Sequence, residues 1–152
     1  MLHVFYCIYG FFRRLLLSAL RIKTVGVRAL IVKNKKVLLV RHTYIDGWYF
    51  PGGGVNAYET APQAVIREVR EEVAGIVSKP VKLLGVYYNT KPGWDDYVVL
   101  YKVELESQGT VNDREIAETR WFDLNQLPND ITESTKKRIE EHIFGVTVEE
   151  RW

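Results

Sequence analysis

GGGVNAYETAPQAVIREVREEVAG, residues 52–75, decides how this chain is read. A glycine run leads into a stretch with helical spacing. Thr60 is placed to cap the helix, Gln63 to complete a capping box, and Pro62 sits in the first turn where no amide donor is missed. The spacing predicts a helix from about Thr60 to Ala74, with Gly75 placed to stop it. At about 100° per residue, Glu68, Glu71 and Glu72 fall within one arc of the helix. Val65, Ile66, Val69 and Val73 fall on a neighbouring arc and are expected to face the core. Arg67 and Arg70 take the remaining side. Ala61 and Ala64 continue the acidic stripe toward the N-terminus.

Carboxylates gathered on one helix face repel. Like charges at i,i+4 cost a helix about 0.2–0.5 kcal/mol in water, and more where water is excluded. A hard divalent cation offsets that repulsion, because Mg2+ prefers oxygen ligands. The glycines supply a backbone that can approach a metal or phosphate closely. Taken alone, the REVREE string reads as a solvated face paired to its own arginines. What changes the balance is its fixed distance from the glycine run and from Glu59.

Outward from this stretch, TVGVRALIVK (24–33) and KVLLVRH (36–42) are rich in β-branched and aliphatic residues. With Asn34-Lys35 between them, they read as a β-hairpin. Strands are expected at 81–90 and 97–106, joined by a loop over 91–96. A polar loop over 107–117 leads to a short strand near 119–123. Asp130 with Glu133 opens a last helix that places Ile131, Ile139 and Ile143 on one face. Mixed elements with antiparallel pairs predict an α+β domain with a mixed sheet.

The chain has 152 residues, enough for one domain with one core. Its 47% apolar and 26% charged content is ordinary for a soluble protein, and a net charge of +2 gives no case for DNA or other nucleic-acid binding. A single cysteine, Cys7, cannot form an internal disulfide and fits a reducing compartment, so the expected location is cytoplasmic. The first 22 residues are strongly apolar, but Arg13 and Arg14 interrupt the run that a membrane span needs. The arginines also follow the apolar stretch, where a secretory signal has its charge first. His3, Cys7, Gly10, Arg14, Ser18 and Arg21 recur at intervals of three or four residues. That spacing predicts an amphipathic helix over residues 2–20 with one narrow polar stripe. Its wide apolar face suits packing on the domain, a homodimer contact, or an in-plane membrane-surface contact. The expected organisation is an N-terminal apolar helix at 1–22, a catalytic domain at 23–146 and a C-terminal tail at 147–152.

The segment from Gly53 closely resembles the Nudix box, G-x5-E-x7-R-E-U-x-E-E-x-G-U with U aliphatic. Gly53, Glu59, Arg67, Glu68, Val69, Glu71 and Glu72 fall on the pattern; Ala74 and Gly75 depart from it, at the helix exit. The resemblance implies a Nudix (MutT-like) hydrolase with an α/β/α sandwich. It implies Mg2+-dependent hydrolysis of a pyrophosphate bond in a small nucleotide substrate, with Mn2+ able to substitute. That substrate is a nucleoside diphosphate linked to another moiety, as in a nucleoside triphosphate, a nucleotide sugar or a dinucleoside polyphosphate. It implies Glu68 and Glu72 as main metal ligands, Glu71 as a further ligand or water-activating group, and the Gly52 carbonyl as a backbone ligand. Arg67 matches the arginine that orients a box glutamate, and Gly53 and Glu59 match structural box residues. Some members take a general base from a mobile loop, and here Glu115 is preferred to Glu118.

For substrate contacts, Arg41 and Lys91 are candidates for phosphate. Among Tyr44, Trp48, Tyr58, Tyr87, Trp94 and Tyr97, Trp94 is the candidate for stacking. Pro92 lies near where some ADP-ribose-cleaving members carry a proline. Two other functions compete: a nucleotide-binding sensor without turnover, and an RNA 5′-end pyrophosphohydrolase. Deleting residues 1–20 separates the readings of the apolar helix. Loss of liposome binding with activity retained marks a membrane-surface contact. A collapsed dimer marks packing.

Overall fold

The computed structural model describes residues 23–78, 80–91, 94–111 and 114–152. The helix expected over 2–20 and Pro92 lie outside the described residues. Strands β1 (Thr24–Lys33) and β2 (Lys36–His42) have the expected bounds. Asn34 and Lys35 take φ of 52° and 60°, the paired positive values of a tight hairpin turn. The two strands pair directly only near that turn, at Val32↔Val37 and Lys33↔Lys36.

Beyond it they splay, and residues 49–55 fill the gap. Val27 N donates to Gly53 O and Ala29 N to Pro51 O, both at 2.8 Å, while Tyr49 and Val40 exchange both backbone bonds at 2.9 Å. The glycine run is therefore held like a strand between β1 and β2. Only glycine fits at position 52: φ is 144°, and a Cβ there would lie 2.1 Å from Val27 O.

Helix α1 (Ala61–Val73) starts with the expected capping box between Thr60 and Gln63. Its exit differs from expectation. Ala74, not Gly75, takes the left-handed conformation, with φ 50° and ψ 35°. Gly75 is needed for space, since a Cβ there would come within 2.9 Å of both Leu105 and Val69. Gly75 opens β3 (Gly75–Val77), a short strand the apolar pattern did not reveal. Next come β4 (Lys82–Lys91), β5 (Trp94–Val103), β6 (Leu105–Gln108), β7 (Ile116–Asp123) and α2 (Glu133–Phe144). The expected 91–96 loop is mostly ladder, with Lys91 paired to Trp94. The loop expected over 107–117 gives residues to both β6 and β7.

Five strands form one mixed sheet in the order β4-β5-β1-β2-β7, in which only β1 and β5 are parallel. A separate ribbon pairs β3 with β6. The period-2 alternation of β1 and β2 divides the core. Val27, Ala29, Ile31, Leu38 and Val40 face Val65, Val69 and Val73 of α1. Leu30, Val37 and Leu39 face the other way, packing with Trp48, Phe50 and Ile139 of α2. Helices thus cover both faces of the sheet, the α/β/α sandwich that was expected.

Thr132, not Asp130, stands at the N-cap of α2, without a side-chain capping bond, and the Asp130 carboxylate pairs with Arg41 at 2.6 Å. Ile66, expected in the core, is 41% exposed, and Ala64 is buried in its place. The segment expected as a tail lies along β4: Tyr88 N donates to Glu150 O and Trp152 N to Tyr88 O. Buried Arg138 and Glu141 of α2 anchor it, each bonding the backbone of Glu149. No helix among the described residues is long and apolar enough to cross a membrane.

A non-glycine residue in the left-handed region is strained by about 1–2 kcal/mol. Ala74→Gly is expected to raise the melting temperature by about 2–4 °C, whereas Gly75→Ala lowers it by overpacking against Leu105 and Val69. Calorimetric melting of the two variants checks both signs.

Candidate active site

The buried stripe of α1 runs through Ala64, Val65, Val69, Glu72 and Val73. Glu72 thus belongs to the inward face of the helix, at only 8% exposure. Glu68, one turn earlier, has a side chain 12% exposed, against 44% for Glu71. One arc of glutamates is therefore split in two by burial. The glycine run explains how the inner pair is tolerated. Gly52 N donates to Glu72 Oε2 at 2.7 Å. Gly53 packs so closely on Glu68 that a Cβ would stand 2.4 Å from Oε1.

Arg67 organises the rest. Its Nε and Nη2 donate to the two oxygens of Glu59 at 2.8 and 3.0 Å, a forked pair. Nη1 donates to Glu68 Oε1 at 2.7 Å and Glu71 Oε2 at 3.1 Å, and Nη2 also to Gly54 O at 3.0 Å. Glu59 also accepts from Asn56 N at 3.0 Å. The Arg67 bond, then that backbone bond, holds the Glu59 carboxyl below its usual range. The same bond from Glu59, with those from Glu68 and Glu71, pushes the Arg67 pKa up. At Glu68 burial dominates and lifts the carboxyl pKa, although Arg67 and the charge of Arg28 pull it down.

Two residues near this centre escaped the sequence reading. His42 lies on the α1 side of β2, in step with Leu38 and Val40, with Nδ1 4.0 Å from Glu72 Oε1. Counting alternate residues along β2 would have found it. Arg28 donates from Nη1 to the Gly52 carbonyl. Its signal was a charge in the middle of the apolar run TVGVRALIVK.

The other expected residues are spread out. Arg41 lies on the α2 side, its guanidinium 4.6 Å from the Trp48 ring centre. The structure does not bring it to the glutamates. Glu118 pairs with Arg120 and sits opposite Arg41 in the ladder, also on the α2 side. A bulge at Arg41/His42 resets the phase, so Ile116 is buried beneath α1. Glu115 precedes it, and its carbonyl accepts from Thr43 N at 2.8 Å, beside His42. Trp94 opens β5; its side chain and that of Lys91 lie outside the described set. On the α2 side of the glycine run is a cavity of about 810 Å3, lined by Arg28, Gly53, Gly54, Asn89, Asp96 and Trp152 among others. Asp96 accepts there from Thr24 Oγ1 at 2.6 Å and Asn89 Nδ2 at 3.2 Å.

A family model, the NUDIX domain, matches residues 22–142. The fold and box therefore place this chain in the Nudix hydrolase family, to which it belongs. It is similar to an ADP-ribose pyrophosphatase of Methanocaldococcus jannaschii, 34% identical over 110 residues that cover 68% of this chain and 64% of that protein. An RNA pyrophosphohydrolase of Xanthomonas campestris is 41% identical over 73 residues, 48% of this chain and 33% of that protein. The chain thus spans about two thirds and one third of these curated relatives. The crystal structure of a MutT Nudix hydrolase from Burkholderia pseudomallei matches with a TM-score of 0.71 and 26% identity, over 80% of this chain and 98% of that one.

Carboxylate and carbonyl oxygens suit a hard cation by chemistry. As placed, Glu68 and Glu71 turn to Arg67 and the Gly52 carbonyl to Arg28. Among the described residues no three His, Cys, Asp or Glu groups converge as a metal cluster. The donors are of the oxygen type that a hard divalent ion takes, with Arg67 on one oxygen each of Glu68 and Glu71 and Arg28 on the Gly52 carbonyl.

A raised carboxyl pKa opposes folding once the group ionises: the fold is favoured below the ordinary carboxylate range and loses stability as pH rises through the raised value. With EDTA present, Glu68→Gln is expected to melt above the parent at pH 7. The gap should close as pH falls below about 4. A variant less stable than the parent at pH 7 would contradict this.

Proposed function

We propose that this chain hydrolyses a pyrophosphate bond in a nucleoside diphosphate linked to another moiety, using Mg2+ or Mn2+. The observation that carries the proposal is that largely covered Glu68 and buried Glu72 both lie against the Gly52–Gly53 backbone, where burial opposes ionisation of Glu68. Glu68 and Glu72 would hold the cation, joined by Glu71 and the Gly52 carbonyl. Bound there, the ion supplies charge neutralisation and a lower pKa for water.

The chain's own residues do the remaining work. Arg67 orients Glu68 and Glu71 and ties both to Glu59. Gly53 leaves the space that Glu68 occupies. A glutamate oxygen takes the proton of the attacking water. Glu71, exposed and tethered only by Arg67 in the box, is one such group. Glu115, whose carbonyl accepts from Thr43 N next to His42, is the other. The large cavity beyond the glycine run is of the size that holds a nucleotide-sized ligand. Trp94 and Arg41 remain proposals for substrate contact, with Arg41 first having to leave Asp130.

The name of the Methanocaldococcus relative supports a small nucleotide such as ADP-ribose, and that of the Xanthomonas relative supports an RNA 5′ end. The near-neutral charge favours the small nucleotide. Retention of every box carboxylate favours turnover over a sensor. A cytoplasmic location fits the single cysteine.

The test is a screen of nucleoside triphosphates, nucleotide sugars, ADP-ribose, dinucleoside polyphosphates and triphosphorylated RNA with Mg2+ and Mn2+. Release of phosphate or nucleoside monophosphate is scored. Turnover of a small nucleotide is expected, and Glu68→Gln and Glu72→Gln are each expected to reduce it nearly to background with circular dichroism unchanged. Near-native rates in either variant would remove those residues from the cation site, and binding without turnover would make the chain a sensor.

A further inference from the structure

Arg28 stands midway along β1, which β5 flanks on one side and the inserted glycine run on the other. Its neighbours Val27 and Ala29 are fully buried and face α1. Arg28 takes the opposite face and lines the 810 Å3 cavity. Among the described residues no carboxylate lies within ion-pair distance of it, unlike Arg41, Arg67, Lys137 and Arg138, which all have acidic partners. Its one hydrogen bond among the described residues goes from Nη1 to the Gly52 carbonyl. The guanidinium is part-buried and carries five donors, and its one acceptor among the described residues is the neutral Gly52 carbonyl. It lines the cavity and bonds Gly52, whose neighbour Gly53 packs on Glu68.

We propose that Arg28 is a diphosphate-binding residue that exchanges partners. In the empty site it holds the Gly52 carbonyl. With substrate present it forks onto phosphoryl oxygens that reach from the cavity toward the box, and it leaves Gly52 O to the divalent ion. The proposal rests on the reading of Glu68 and Glu72 as the cation site. Its logic is electrostatic: a guanidinium and a divalent cation repel each other at one carbonyl oxygen. A phosphoryl group offers the guanidinium the charged, forked acceptor that the strand does not.

Binding of imidodiphosphate in EDTA, measured by titration calorimetry, tests Arg28 without metal or turnover. Arg28→Gln is expected to weaken it by about 10-fold or more. Arg28→Lys restores part of the loss, and Arg120→Gln, the same charge change elsewhere, leaves affinity unaltered. Mn2+ binding followed by electron paramagnetic resonance without nucleotide is expected to be as tight or tighter in Arg28→Gln, because Gly52 O has lost a competitor. With an identified substrate, KM rises more than kcat falls.

Unchanged imidodiphosphate affinity in Arg28→Gln overturns the proposal. So does a joint loss of melting temperature and Mn2+ affinity in both Arg28 variants, which marks a brace for the glycine run. If instead Glu68→Gln leaves Mn2+ affinity unchanged, the cation site has been misread, and the metal-free measurement still decides the role of Arg28.

Discussion

Everything at this site follows from two carboxylates of one helix, Glu72 buried and Glu68 largely covered. Glu68 and Glu72 are one turn apart and turned toward a backbone rather than toward water. A helix does not keep like charges in such a place without compensation. Part of the compensation is the Gly52 amide, and part is the Arg67 guanidinium. Burial still holds the Glu68 pKa high, so the compensation is incomplete in the chain alone.

The second constraint is the insertion of residues 49–55 between two strands that would otherwise pair along their length. Splaying β1 from β2 opens backbone donors at Val27 and Ala29, and the glycine run supplies their acceptors. This turns a stretch of glycines from a flexible loop into a fixed wall. One side of the wall meets the α1 carboxylates; the other meets the cavity. The sheet thereby separates two tasks. The α1 side gathers negative charge, and the α2 side carries the space, with Arg28 lining it and bonded to Gly52.

The α2 side is closed by a buried ion pair. Arg138 and Glu141 are almost fully buried, 2.7 Å apart, and both reach the backbone of Glu149. They hold residues 149–152 along β4, so that Trp152 packs on Tyr87 and lines the cavity. Such a pair costs desolvation, and its bonds to the following segment satisfy part of what burial leaves open.

Much of the architecture was legible in local chemistry. The capping box at Thr60 and Gln63, the hairpin bounds and the box spacing are short-range properties, and short-range patterns survive folding unchanged. The placing of the acidic residues along one helix was legible for the same reason. What the linear order did not carry were contacts between distant segments. Ala74 takes the strained turn, and Gly75 is pressed against Leu105, thirty positions later. Residues 147–152 looked like a tail because nothing local shows that α2 holds them on β4. His42 and Arg28 became site neighbours only when β1 and β2 splayed around the glycine run. Residue type and spacing determine which groups are available along a helix face, because the helix repeat is a local geometry. Which of them are buried, and which distant groups meet them, is set by the packing of the sheet, and only the tertiary structure decides that.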